Sequence, residues 1–222
     1  MPERIPRLNV VIVGDVGVGK RALADQICPE ESYDPTLEDS WVKRIDVDRW
    51  PCVLDILLLD CPPEYTALRD QYIRDGDAFI LAYSVTSQTS FSNIRTYDND
   101  IKNKEKLMVG RTTKYSSSQR PCNPPVILVG TKNDLEAQRE VSVEEGQMLA
   151  QSLNCPFIET SAKHNTGVEK MLHEVVRCYR QQNPPTPSEP ETPTPSRSRK
   201  GLGRLLGPRQ PKNDNGPRCI VM

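Results

Sequence analysis

Residues Val10-Val11-Ile12-Val13-Gly14-Asp15-Val16-Gly17-Val18-Gly19-Lys20-Arg21 constrain this chain more than any other stretch. A short β-branched apolar run bounded by glycine and followed by Ala22-Leu23-Ala24 predicts a buried strand turning sharply into a helix. Gly14 to Lys20 fits G-x-x-x-x-G-K, in which glycines let backbone N–H groups close around phosphate oxygens while the lysine reaches the outer phosphates. The helix that begins there adds its N-terminal partial charge. The expectation is a polyphosphate cradle. One residue departs from it: where Ser or Thr normally ligates magnesium, the chain has Arg21, and a guanidinium cannot ligate a cation.

Further strand-like runs lie at Leu8–Val13, Trp41–Val47, Cys52–Leu59, Ala78–Val85, Val126–Thr131 and Pro156–Glu159, several of them almost entirely apolar. Helical spacing separates them: Tyr65, Leu68, Tyr72 and Ile73; Phe91, Ile94 and Ile101; Leu149, Ala150 and Leu153; and Val168, Met171, Leu172, Val175, Val176 and Tyr179. Alternation of this kind, with a phosphate loop after the first strand, predicts an α/β P-loop NTPase fold. Its six-stranded, mostly parallel, doubly wound sheet would carry helices on both faces and bind its ligand at the strands' carboxyl ends.

Two segments fall outside that scheme. Lys102 to Pro125 is polar and ends in prolines, which predicts that most of it, at about 102–125, is a long mobile surface loop. After Asn183 come nine of the chain's 20 prolines among Ser, Thr, Glu and Arg, so residues 184–222 are expected to be a disordered tail behind a domain of residues 1–183. Formal charge divides the same way, near −5 for the body and near +4 for the tail, which argues against nucleic acid as a partner of the body. Cys28, Cys52, Cys61, Cys122, Cys155, Cys178 and Cys219 form neither a disulfide framework nor a pair at metal-ligand spacing, as expected in a reducing, cytosolic setting. The N-terminus lacks the apolar stretch of a signal peptide.

The strand ending at Gly130 is followed by Thr131-Lys132-Asn133-Asp134, and a later one by Ser161-Ala162-Lys163. With the phosphate loop, Asp34-Pro35-Thr36-Leu37-Glu38-Asp39-Ser40 and Glu64-Tyr65, these stand in the motif order of a Ras-family small GTPase, which the chain resembles from roughly Leu8 to Gln182. The resemblance implies GTP and GDP as ligands. Gly14, Asp15, Val16, Gly17, Val18, Gly19, Lys20 and Arg21 would line the phosphates, Thr36 would close on the γ-phosphate and magnesium, and Thr131, Lys132, Asp134, Ser161, Ala162 and Lys163 would hold the base. An ionised carboxylate is acceptor-only, so Asp134 can take both the ring N–H and the exocyclic amine of guanine, an arrangement adenine cannot offer. In the family the lysine at Lys132 ties back to the phosphate loop, and the backbone N–H at Ala162 meets the guanine oxygen. Asp34, Pro35, Thr36, Glu38, Asp39 and Ser40 resemble the surface that meets effectors, and exchange factors and activating proteins are further implied partners.

Departures gather at the metal and at hydrolysis. Besides Arg21, Val16 stands where close Ras relatives have Gly and would crowd the transferring phosphoryl group. Cys28 and Pro29 fall where an aromatic usually covers the guanine. Counting back from Glu64-Tyr65, Leu58 replaces the aspartate of Asp-x-x-Gly-Gln, Cys61 the glycine and Pro62 the water-positioning glutamine. Pro62 and Pro63 cannot donate a backbone N–H to the γ-phosphate. Asp60 lies two positions late, and an Arg21–Asp60 ion pair at the metal position is one hypothesis. Magnesium therefore stays open as a cofactor, and no catalytic residue is assigned.

The chain ends Cys219-Ile220-Val221-Met222, a C-a-a-X sequence that predicts farnesylation of Cys219. One lipid chain anchors only marginally, and tail cations such as Arg197, Arg199, Lys200 and Arg204 would add attraction to anionic lipid. The expectation is a Ras-like switch at the cytoplasmic face of the plasma membrane or an endomembrane, with very slow or absent GTP hydrolysis. The alternative is a non-catalytic module of the same fold that acts through its effector-like surface.

Overall fold

A computed structural model describes residues 5–29, 40–59, 66–108 and 124–184, without the side chains of 66–69 and 104–108. The chain divides into two units at Pro185/Thr186, and all described residues belong to the first. Among them six strands form one sheet: β1 (Arg7–Val13), β2 (Ser40–Val47), β3 (Trp50–Leu59), β4 (Ala78–Ser84), β5 (Val126–Thr131) and β6 (Phe157–Glu159). Their order is β2-β3-β1-β4-β5-β6, parallel throughout except for the antiparallel β2–β3 pair. All seven residues of β4 are buried, as a strand covered on both faces must be. Edge strand β2 alternates instead, burying Trp41 and Val47 between exposed positions. Its hairpin to β3 turns through Asp48 and Arg49, both at positive φ (52° and 70°), which matches the twist of the flanking strands.

Helices cover both faces. α1 (Lys20–Ile27) and α5 (Val168–Gln182) pack on one, where Ile12, Leu23, Ile56, Ile80, Met171 and Val175 meet. The other carries α2 (Thr66–Asp75), α3 (Gln88–Met108) and α4 (Val143–Leu153) over Val11, Phe79, Leu81, Ile94, Ile101 and Leu149. α5 buries Val168, Met171, Leu172, Val175 and Val176, a stripe at i, i+3, i+4, i+7 and i+8. α4 starts at a capping box, with Glu145 N–H donating to Ser142 Oγ and Ser142 N–H to Glu145. No helix among the described residues is long and apolar enough to cross a membrane.

The expected long loop is corrected at its start. Lys102 to Met108 continue α3 by two turns past Ile101, its last described buried apolar residue. Lys102 reaches back one turn to Asp98 at 2.7 Å, and the residue types at 104–108, Lys-Glu-Lys-Leu-Met, are strong helix formers, so an i,i+4 pair and propensity both favour the extension. Residues 109–123 of that segment lie outside the described residues, as do Tyr65 and residues 185–222 of the tail. Strand bounds differ only at the ends: β3 begins at Trp50, and Val85 and Pro156 fall outside β4 and β6.

Neighbouring connections run to opposite sides of the sheet at β1, which lies between β3 and β4. The crevice beyond its carboxyl end is where doubly wound sheets hold ligands.

Candidate functional site

The loop of residues 14–19 leaves β1 at that crevice. A Cβ on Gly14 would stand 2.1 Å from the carbonyl oxygen of Ala82 on β4, so only glycine lets the loop cross the neighbouring strand this closely. Gly19 caps α1 from the left-handed region at φ 99°, and the Leu23 N–H returns to its carbonyl at 3.0 Å. Lys20 opens the helix, almost wholly buried, and its ammonium donates to the carbonyls of Gly14 and Asp15 at 2.8 Å each. The cation therefore sits within the curl of the loop.

Two contacts from the end of β5 hold the same loop. The buried Thr131 hydroxyl lies 2.5 Å from the Val18 carbonyl and 2.9 Å from that of Tyr83, stitching the loop to β4. Lys132, at φ 62°, extends its ammonium 2.7 Å from the Gly17 carbonyl, its stem lying along Gly19. Val18 is buried, whereas Val16 stands in the loop 86% exposed.

Asp134 follows two residues later. Its Oδ1 accepts a 2.6 Å hydrogen bond from Ser161, which is fully buried. That hydroxyl holds the carboxyl below the usual aspartate range, assisted by backbone N–H donation. Ser161 is fixed in turn by its backbone bridge to Thr166 and by the His164 N–H at 3.2 Å. Ala162 is half-buried and Lys163 exposed beside it. Phosphate loop, Lys132 and Asp134 thus line one end of the sheet, a cationic and amide-rich pole at the loop and an ionised carboxylate beyond it.

Three supports of this site were not legible in motifs. Asp15 is turned away from the cradle: Asn93 Nδ2 and the Tyr97 hydroxyl, both on α3, reach its two oxygens at 2.8 and 2.6 Å. Arg139 makes a two-pronged pair with Glu159 at 2.7 and 3.0 Å, joining the segment after Asp134 to the strand before Ser161. Arg21 lies with its guanidinium carbon 5.6 Å from the ring centroid of Trp41, which β2 presents nearly buried. Residues up to 82 apart in sequence make these contacts, so no local pattern announces them.

Other expected positions stand differently. Cys28 is buried, its thiol 3.5 Å from the Val42 carbonyl, and has no face to offer a base, while Pro29 is exposed. Ser40 is exposed at the start of β2, opposite Leu57. Asp34, Pro35, Thr36, Glu38, Asp39, Asp60, Pro62 and Cys219 lie outside the described residues, and the Arg21–Asp60 pair with them. Leu58 pairs with Ile12 in the sheet and is 5% exposed, part of the core under α1. The described residues fit a magnesium ion poorly: where P-loop proteins supply a hydroxyl after the lysine and a carboxylate on the third strand, they offer the guanidinium of Arg21 and the buried aliphatic side chain of Leu58, and Thr36, the possible metal ligand, lies outside them. Among the described residues no three His, Cys, Asp or Glu side chains gather as a metal site.

Comparison with known proteins agrees with this geometry. The model of the Ras family matches residues 9–181. Protein ras-2 of Neurospora crassa is 41% identical over 222 residues, covering 96% of each chain. Ras-like protein B of Aspergillus fumigatus is 40% identical, covering 96% of this chain and 98% of its own. Ras-like protein 1 of Pyricularia oryzae is 42% identical over 90% of this chain and 86% of its own. With a phosphate loop at the switch point of a six-stranded α/β sheet and a carboxylate braced by Ser161 beyond it, this chain belongs to the Ras family of small GTPases.

Proposed function

We propose that the chain is a GTP- and GDP-binding signalling switch, lipid-anchored at the cytoplasmic face of a membrane, whose hydrolysis of GTP is far slower than its family's. The loop amides with Lys20 take the phosphates, Asp134 takes the guanine edge, and the backbone at Ala162 takes the guanine oxygen. Lys132 bridges the two by its contact with Gly17. Asp34, Pro35, Thr36, Glu38, Asp39 and Ser40 form the effector surface, with Thr36 closing on the γ-phosphate.

Slow turnover rests above all on Leu58, an aliphatic side chain sealed in the core where the family's carboxylate belongs. Hydrolysis needs a water in line with the departing phosphate and charge stabilisation at the transferring group. Pro62 has no amide side chain to orient that water, and Val16, exposed in the phosphate loop, would crowd an incoming arginine. GTP would then be lost mainly by exchange or dissociation.

Anchoring rests on Cys219-Ile220-Val221-Met222 behind a basic segment, the two signals that stable attachment takes. Single-turnover hydrolysis by the GTP-loaded protein tests the enzymatic half, with a half-life of many hours expected and one of minutes contradicting it. Fractionation of cells carrying the full chain and Cys219→Ser tests the other: the variant should leave the membrane fraction. A non-catalytic module is the second reading, favoured by the buried Cys28 at the expected base cover, and protein purified free of nucleotide that binds none would support it.

A further inference from the structure

We propose that Asn93 and Tyr97 are positioning residues that set nucleotide affinity through charge: together they hold the carboxylate of Asp15 against α3 and off the phosphates of a bound nucleotide. Their hold counts for more with a triphosphate than with a diphosphate. This rests on the reading above that a guanine nucleotide occupies the phosphate loop.

Asp15 carries a charge of the wrong sign for a phosphate loop, and it is the only acid between Gly14 and Lys20. Its backbone belongs to the cradle, since its carbonyl accepts from the Lys20 ammonium at 2.8 Å. Its side chain goes elsewhere: Oδ2 accepts from Asn93 Nδ2 at 2.8 Å and Oδ1 from the Tyr97 hydroxyl at 2.6 Å. Each carboxylate oxygen thus has a donor on α3. Both donors are neutral, so the charge is pinned in place rather than cancelled.

α3 presents those donors from a fixed position. Residues 93 and 97 are four apart, which sets both side chains on one face of the helix. Ile94 and Ile101, fully buried, fasten the helix to the sheet, and Tyr97 packs half-buried against the same core. Without its donors the Asp15 carboxylate would be free to turn toward the phosphates, one side chain's length from the loop amides. Like charges at such range repel in proportion to the charge on each, and salt screens them. The cost of losing the tie therefore rises from diphosphate to triphosphate, which the loss of a purely mechanical brace would not do.

The test is titration of the nucleotide-stripped full chain with a fluorescent GDP analogue and a fluorescent, non-hydrolysable GTP analogue. The pair Asn93→Ala with Tyr97→Phe removes both donors and keeps the helix and the ring, and circular dichroism checks that each variant is folded. It should weaken the diphosphate by about tenfold and the triphosphate by about thirtyfold or more, both losses shrinking at high salt. Adding Asp15→Ala to the pair removes the freed charge and should recover most of the lost affinity, more of it for the triphosphate. Equal losses for the two nucleotides with no recovery on adding Asp15→Ala would overturn the proposal, because the tie would then only brace the loop. Unchanged binding in the folded pair would overturn it equally, and either result leaves guanine-nucleotide binding itself intact. No binding of either nucleotide by the unmodified protein would remove the proposed function, and the inference with it.

Discussion

The buried hydroxyl of Ser161 donates a 2.6 Å hydrogen bond to Oδ1 of Asp134, so the carboxylate proposed to take the guanine edge is held ionised by the loop proposed to contact the same base. Its folded pKa lies below the ordinary value of 3.8. The contact is therefore complete above the unfolded value and is lost only as pH falls through the lower, folded one. Carboxyl NMR should show Asp134 titrating below the ordinary aspartate value. In Ser161→Ala that titration should move up and GDP affinity drop about tenfold at neutral pH.

Thr131 is a structural tie with a readable cost. Its hydroxyl lies within hydrogen-bond range of two carbonyls, those of Val18 and Tyr83, inside the sheet's end. Thr131→Val preserves shape but leaves buried acceptors without that donor, for an expected loss of about 1–3 kcal/mol of unfolding free energy. Urea denaturation measures it. Nucleotide should also dissociate faster, because the loop loses its seam to β4.

At Gly14 the consequence is steric. A methyl group there would meet the Ala82 carbonyl oxygen at 2.1 Å and its carbon at 3.1 Å, both backbone atoms of a fully buried strand. Gly14→Ala should cost at least about 3 kcal/mol, seen as a lowered melting temperature or insoluble expression. By contrast, no described atom lies within 4 Å of a Cβ at Gly17, so the cost expected of its alanine variant is that of its left-handed backbone at φ 80°.

Arg139 and Glu159 each keep only 14% of their side chains exposed, and the pairing raises the arginine's affinity for its proton through the Glu159 hydrogen bonds. Removal of Glu159 leaves Arg139 only the exposed Glu136, at 2.8 Å, as an acidic partner among the described residues. Glu159→Gln should cost about 2–4 kcal/mol, and the double change to Glu159→Gln with Arg139→Met less than the two single effects added. A double-mutant cycle in urea gives that coupling directly, and the same variants should loosen nucleotide because the pair joins the two base-facing segments.

Much of this architecture was legible in sequence because burial writes itself into periodicity. Val168 to Val176 announce α5 by spacing alone, and the apolar run at Ala78–Ser84 announces a central strand. The end of α3 did not show, since the polar composition and the prolines at its far end pointed to a loop, whereas helix propensity and the Asp98–Lys102 pair favour the helix. At the site, Lys20, Lys132, Asp134 and Ser161 could be picked out because chemistry restricts residue type at fixed spacing. Asn93, Tyr97, Glu159 and Trp41 could not: each acts through a contact with a residue distant in the chain. Leu58 was visible as a departure, but its burial, which decides against a metal ligand there, is a property of the folded sheet.

Base recognition by Asp134 is the point on which the functional account stands, and exchange of one side-chain oxygen for nitrogen tests it most directly. Guanine offers two donors to a carboxylate, whereas xanthine offers one donor and one acceptor, the complement of an amide. Calorimetric titration of Asp134→Asn with GDP and with xanthosine diphosphate should show GDP affinity falling by at least about a hundredfold and xanthosine diphosphate becoming the preferred ligand. Unaltered GDP affinity in the folded variant, with no gain for xanthosine diphosphate, would contradict the account.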